Sequence, residues 1–177
     1  MTDDQKDLQE VLFPAGPPLN SDPAVQSLLD QYRLMVESSE RVVARRQTAN
    51  TFFLSINSAL LVATGILLSE GDVLSFAGGS LGVGISVTGL SICFVWWRMI
   101  TSFQQLNVAK FKIIHLLEQQ LPAALFKAEW VALGEGEDPS LYRPFTQLEK
   151  QIPVGLMYVY GLAAAAGVIV ATLSGVR

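Results

Sequence analysis

Residues 45–68 read RRQTANTFFLSINSALLVATGILL, two arginines followed by a run with no further charge. A bilayer core about 30 Å thick needs roughly 20 apolar residues in helical form to cross it. The stretch 51–68 therefore reads as a membrane span, and it decides the fold class. Two more uncharged runs follow, at 73–97 and 152–176. The whole chain agrees. Of its 177 residues 50% are hydrophobic and only 16% charged, and the mean hydropathy is +0.38. Soluble domains carry about 25% charge. The expected class is an all-α integral membrane protein with three transmembrane helices and long cytoplasmic helical extensions.

The cations set the expected orientation. Arg33, Arg41, Arg45 and Arg46 precede the first span. The short link Ser69-Glu70-Gly71-Asp72 has no cation, Arg98 closes the second span, and Lys110, Lys112, Lys127, Arg143 and Lys150 follow. Eleven of the 12 cations thus fall on one side, with only Arg177 beyond the third span. The positive side faces the cytoplasm, so the N-terminus is expected inside and the C-terminus outside. Trp96 and Trp97 beside Arg98 suit the headgroup level. The N-terminus is acidic and polar, so no signal peptide is read there and the first run is a retained span.

The parts outside the spans are expected to be helical. Residues 1–20 are acidic and then carry Pro14, Pro17 and Pro18, which reads as a mobile tail. Ser21-Asp22-Pro23 is a helix start, with a capping side chain and a proline in the first turn. No Gly or Pro interrupts 24–50, and Val25, Leu28, Leu29, Tyr32, Met35, Val36, Val42 and Val43 recur at amphipathic spacing. A helix running on through 23–68 would be about 69 Å long. The cytoplasmic layer 98–151 continues the second span as far as Pro122, then forms a short helix 123–133 with Phe126 and Trp130. A loop around Gly134 and a last turn at 144–151 follow, before Pro153 opens the third span.

Little in the sequence carries reaction chemistry. The single His115, flanked by Ile113, Ile114 and Leu116, reads as structural, with pH sensing as the sharper alternative. The single Cys93 reads as a buried small group. Glu118 and Glu129 read as partners for Lys or Arg. No Ser-His-Asp set, Walker loop, HExxH or metal-ligand cluster occurs, so no enzyme and no cofactor are expected. The composition excludes a basic nucleic-acid binder, and no nucleic-acid partner is expected.

The spans say more. Asn50, Asn57 and Thr64 recur every seven residues, either as interhelical hydrogen-bonding groups or as a pore lining. Gly78, Gly82, Ser86 and Gly89, and Gly167, Ala171 and Gly175, are small residues suited to helix packing within the chain or between copies. Arg41, Arg45, Arg46 and Arg98 read as topology determinants or as contacts to lipid headgroups.

Four strings carry a resemblance. They are 40–54 (ERVVARRQTANTFFL), Trp97-Arg98-Met99-Ile100 leading to 106–112 (LNVAKFK), Leu121-Pro122 running to Glu129-Trp130, and Tyr142-Arg143-Pro144. Together they resemble the RipA family of octameric membrane proteins over roughly residues 30–175. That resemblance implies a bacterial inner-membrane homo-oligomer of perhaps eight chains, linked to stress tolerance, and supplies no active-site residues. A weaker similarity is to two-span membrane modules of bacterial conflict systems, from which the third span sets this chain apart. The expected function is a ring-like membrane scaffold or pore. The alternative is a membrane-anchored adaptor whose cytoplasmic helices, with Phe126, Trp130 and Tyr142, bind a soluble partner protein.

Overall fold

The computed structural model describes residues 22–70, 75–137 and 145–175, together with Leu12, Phe13, Ser140 and Tyr142. The tail apart from Leu12 and Phe13, the cap Ser21, the link 71–74, Arg143, Pro144 and Arg177 lie outside the described residues. All regular structure among the described residues is helical. The elements are α1 (Asp22–Glu70), α2 (Phe76–Glu118), α3 (Leu125–Ala132) and α4 (Phe145–Gly175), with a short turn Gly134–Gly136 after α3. α1, α2 and α4 are each long and apolar enough to cross a membrane.

α1 is one unbroken helix of 49 residues. Its interior has no proline and only Gly65 as a weak former, so nothing in its sequence stops it at the membrane boundary. α2 likewise runs through Arg98 and ends at Glu118, ahead of Pro122. Its last turn tightens, with Gln120 N–H on the Leu117 carbonyl and Leu121 N–H on the Glu118 carbonyl, both 3.0 Å. α4 differs from the sequence expectation: Pro153 lies inside it rather than at its start. Proline removes one donor, the one the Glu149 carbonyl would have used. Helical residues on both sides and packing against neighbours, which bury Pro153 fully, let the helix continue through it.

The chain divides into two compact units. One comprises Met1–Ala44 with Phe103–Pro144 and holds most of the charge; the other comprises Arg45–Ser102 with Phe145–Arg177 and holds the three uncharged runs. The charged unit buries Leu28, Val42, Ile114, Leu116 and Leu117. The apolar unit buries Phe53, Trp96 and Ile100, with Ile92, Met99 and Leu156 packed against them.

Candidate functional site

The informative features of the apolar unit are two sets of polar ties. The first lies where the uncharged runs begin. Arg46 Nε stands 3.4 Å from Glu149 Oε2, and both side chains are largely buried, at 14% and 7% exposure. Asn50 donates from Nδ2 to Glu149 Oε1 at 3.1 Å. Trp96 donates from its indole N–H to Asn50 Oδ1 at 2.9 Å. One asparagine therefore joins all three long helices, donating to α4 and accepting from α2. Phe53 stacks on Trp96 with ring planes 8° apart, closing the apolar side of the cluster.

The second tie lies one heptad deeper. Asn57 is 1% exposed. Its amide donates to the Phe53 carbonyl at 2.9 Å and accepts from the Cys93 thiol at 3.3 Å. Thr64, the third member of the stripe, donates to the Leu60 carbonyl of its own helix. The structure thus brings Asn50 and Asn57 onto interhelical partners and leaves Thr64 on its own backbone. An amide in an apolar interior costs several kcal/mol unless its groups are paired, on the order of 2–7, which is why the two asparagines sit on the inner face.

Small residues make the rest of the contact. A Cβ on Gly79 would come within 2.8 Å of both the Ala171 nitrogen and the Gly167 oxygen, and one on Gly167 within 2.9 Å of the Gly79 oxygen. A Cβ on Gly89 would fall 2.5 Å from the Tyr160 ring. Gly89, Gly167 and Ala171 from the sequence reading are therefore at close contacts, and Ser86 is buried. Gly175 has only ordinary van der Waals space, to Phe76. Gly82 has open space, and Gly78 is half-buried with its N–H on Ser75 Oγ. Gly79 is the residue that the sequence reading missed. Steps of four drift about 40° each around a helix of 3.6 residues per turn, so a row counted back from Ser86 leaves the contact face. A step of seven, from Ser86 to Gly79, stays on it.

In the charged unit the tie is Glu118, 1% exposed. Its carboxylate accepts from Tyr32 O–H at 3.1 Å, from Phe126 N–H at 2.8 Å and from Lys127 N–H at 3.0 Å. α3 has no side-chain cap of its own at Ala124, and Glu118 serves its free N–H groups from the end of α2. Its partners are thus two backbone amides and a phenol rather than Lys or Arg, and Glu129 is exposed. Burial, then the hydrogen bond and charge of Glu118, push the Tyr32 phenol up to about 12. His115 lies edge-on to Phe111, and its buried Nε2 has no hydrogen-bond partner. Burial chiefly holds its pKa below the ordinary value, and Lys127 acts in the same direction against Glu118. Ser39 to Asn107 at 3.0 Å and Lys110 to Ser38 at 2.6 Å complete the α1–α2 seam.

The arginines divide by environment. Arg41 pairs with Glu37 on its own helix, with both exposed, and Arg46 is the buried partner of Glu149. Arg45 and Arg98 are exposed.

The family model of the octameric membrane protein family (8xMP) matches residues 29–170, a stretch that takes in most of both units. The chain belongs to that family. No curated protein and no solved structure matches it.

Proposed function

We propose that this member of the octameric membrane protein family assembles as a ring-like homo-oligomer in the bacterial cytoplasmic membrane. Its N-terminus faces inward, and it acts there as a scaffold. Membership of an octameric family supports self-association, and the cation distribution supports the orientation.

One observation carries the reading further: the exposed serines and threonines of the apolar runs stand on α1 and α2, with Thr172 alone on α4 among the described residues, while bulky apolar groups are exposed on all three helices. α4 exposes bulky groups, with Tyr158 at 73%, Leu162 at 75% and Leu173 at 69%. α1 exposes Thr51, Ser55 and Ser58, and α2 exposes Gly84, Thr88 and Ser91. Helix contacts in lipid favour small and hydroxyl-bearing residues, because close approach and packing drive association there. The α1 and α2 faces are accordingly assigned to neighbouring copies and the α4 face to lipid. Asn50 and Asn57 are assigned to holding one subunit together, since their amides already have partners inside the chain.

Native mass spectrometry from mild detergent tests the assembly: a single species near eight chains is expected, and a monomer or dimer overturns the ring. Oxidative cross-linking tests the faces. Ser58→Cys or Thr88→Cys is expected to give linked chains, and Leu162→Cys is not. Links through Leu162→Cys alone would reverse the assignment.

A further inference from the structure

The apolar unit is electrically polarised along its helices. No Asp, Glu, Lys or Arg occurs in 47–69, 73–97 or 151–176. The contacts of Arg46 and Asn50 with Glu149, and of Asn50 with Trp96, place Arg45, Arg46, Arg98, Glu149 and Lys150 at the same end of the unit. In the sequence, Glu70 and Asp72 belong to the link at the other end. At the cationic end the one carboxylate, Glu149, is already buried against Arg46. Arg45 and Arg98 are exposed there, each within two helical turns of the Asn50–Trp96 hydrogen bond, while Lys150 is half-buried. Trp97, half-buried next to Arg98, packs on Phe94 with ring centroids 6.3 Å apart, a position suited to the headgroup level.

We propose that Arg45 and Arg98 form a band of two separate binding positions at the cationic end of the apolar unit, each for the phosphate of an anionic phospholipid. A guanidinium presents a planar pair of N–H donors that matches two phosphate oxygens, and it stays charged whatever its surroundings. The internal pairing of Arg46 with Glu149 leaves the band with a net positive charge, which selects an anionic lipid over a zwitterionic one. Both arginines belong to one chain, and Arg98, seven residues on from Ser91, lies in line with the α2 face assigned to neighbouring copies.

The test uses the full chain in detergent micelles, titrated with phosphatidylglycerol or phosphatidylcholine and read by native mass spectrometry as lipids retained per chain. A third arm supplies inorganic phosphate alongside phosphatidylcholine. Wild type is expected to retain phosphatidylglycerol preferentially, and inorganic phosphate is expected to leave that retention unchanged. Each basic residue near an anionic surface contributes roughly a fivefold factor. Arg45→Gln and Arg98→Gln should each weaken phosphatidylglycerol retention by about that factor, and the double variant by roughly 25-fold. Arg33→Gln, in the other unit and paired with Asp30, should leave it unchanged. Should the double variant fail to insert, Arg45→Lys and Arg98→Lys keep the charge and lose the planar fork, with a loss of about twofold expected. An unaltered preference in the variants, no preference in wild type, or displacement of the lipid by inorganic phosphate overturns the proposal.

Discussion

The charged and apolar units share the continuous helices α1 and α2, and α4 belongs to the apolar unit, yet each unit holds its helices together by different chemistry. In the charged unit the ties are side-chain hydrogen bonds between residues far apart in sequence: Tyr32 to Glu118, Ser39 to Asn107 and Lys110 to Ser38. They sit over buried Leu28, Val42, Ile114 and Leu117. Water drives those apolar groups together and the polar ties set the register. In the apolar unit lipid is as good a solvent for leucine as another helix is, so that drive is absent. There the backbones close to contact at Gly79, Gly167 and Ala171, and the polar ties described between helices sit in the buried clusters around Asn50 and Asn57. One sequence thus follows two packing rules along a single helix, changing where its solvent changes.

The largest break in that contrast should come from the buried ion pair of the apolar unit, Arg46 with Glu149. Arg46→Met or Glu149→Leu alone leaves an uncompensated buried charge, and about 3–5 kcal/mol of stability should be lost. The double variant removes both charges and should recover most of it. Thermal unfolding of the detergent-solubilised protein, followed by size-exclusion chromatography, reads this directly. If the double variant is as damaged as either single one, the pair acts through something other than mutual neutralisation.

Glu118 is the counterpart in the charged unit. Glu118→Ala leaves three donors without their acceptor, and at roughly 1 kcal/mol each the loss is about 3 kcal/mol. Hydrogen exchange should show it in 103–137 and not in 145–175. Glu118→Gln keeps one acceptor oxygen and should recover part of the protection. Equal loss of protection in both units would mean that the clasp is not local to the charged unit.

The contrast also explains how much the sequence told. The three spans, the all-helical class and the continuity permitted between 24 and 68 follow from charge and breaker counts, which are local. Asn50 and Asn57 stood out because polar amides are rare in lipid-facing runs. Their partners did not stand out, since Glu149 is 99 positions from Asn50 and nothing local marks it. Glu118 reads in the sequence as a partner for Lys or Arg, and its role depends on α3 returning to it after Pro122. Gly79 escaped because two glycines stand side by side and a four-residue count selects the wrong one. The close contact at Gly79 can be tested against that error. Gly79→Leu should cost about 1–3 kcal/mol or more through overpacking against backbone atoms that cannot turn aside. Gly82→Leu, a step of four from Ser86 but facing open space, should stay within about 0.5 kcal/mol. Equal effects in an unfolding series would remove the distinction between the two faces.

The smallest expected effect separates the units by pH. The charged unit holds two groups outside the spans whose protonation is linked to folding, Tyr32 and His115. For Tyr32 the phenol is the form that donates to Glu118, and its pKa is raised from 10.0 to about 12. Its contribution is therefore complete below pH 10 and is lost as pH rises from there through about 12. For His115 burial favours the neutral ring and lowers the pKa from 6.5. Its contribution is complete above that value and fades as pH falls below it, through the lower folded value. Hydrogen exchange between pH 7 and 5 should then loosen 103–137 while 145–175 stays protected. His115→Leu should flatten that response at little cost near pH 7, because the buried Nε2 has no hydrogen bond to lose. Tyr32→Phe should flatten the alkaline limb alone. An acid response that survives His115→Leu unchanged would place the linked proton elsewhere, and one that spread equally into 145–175 would show the two units opening together rather than by their separate chemistries.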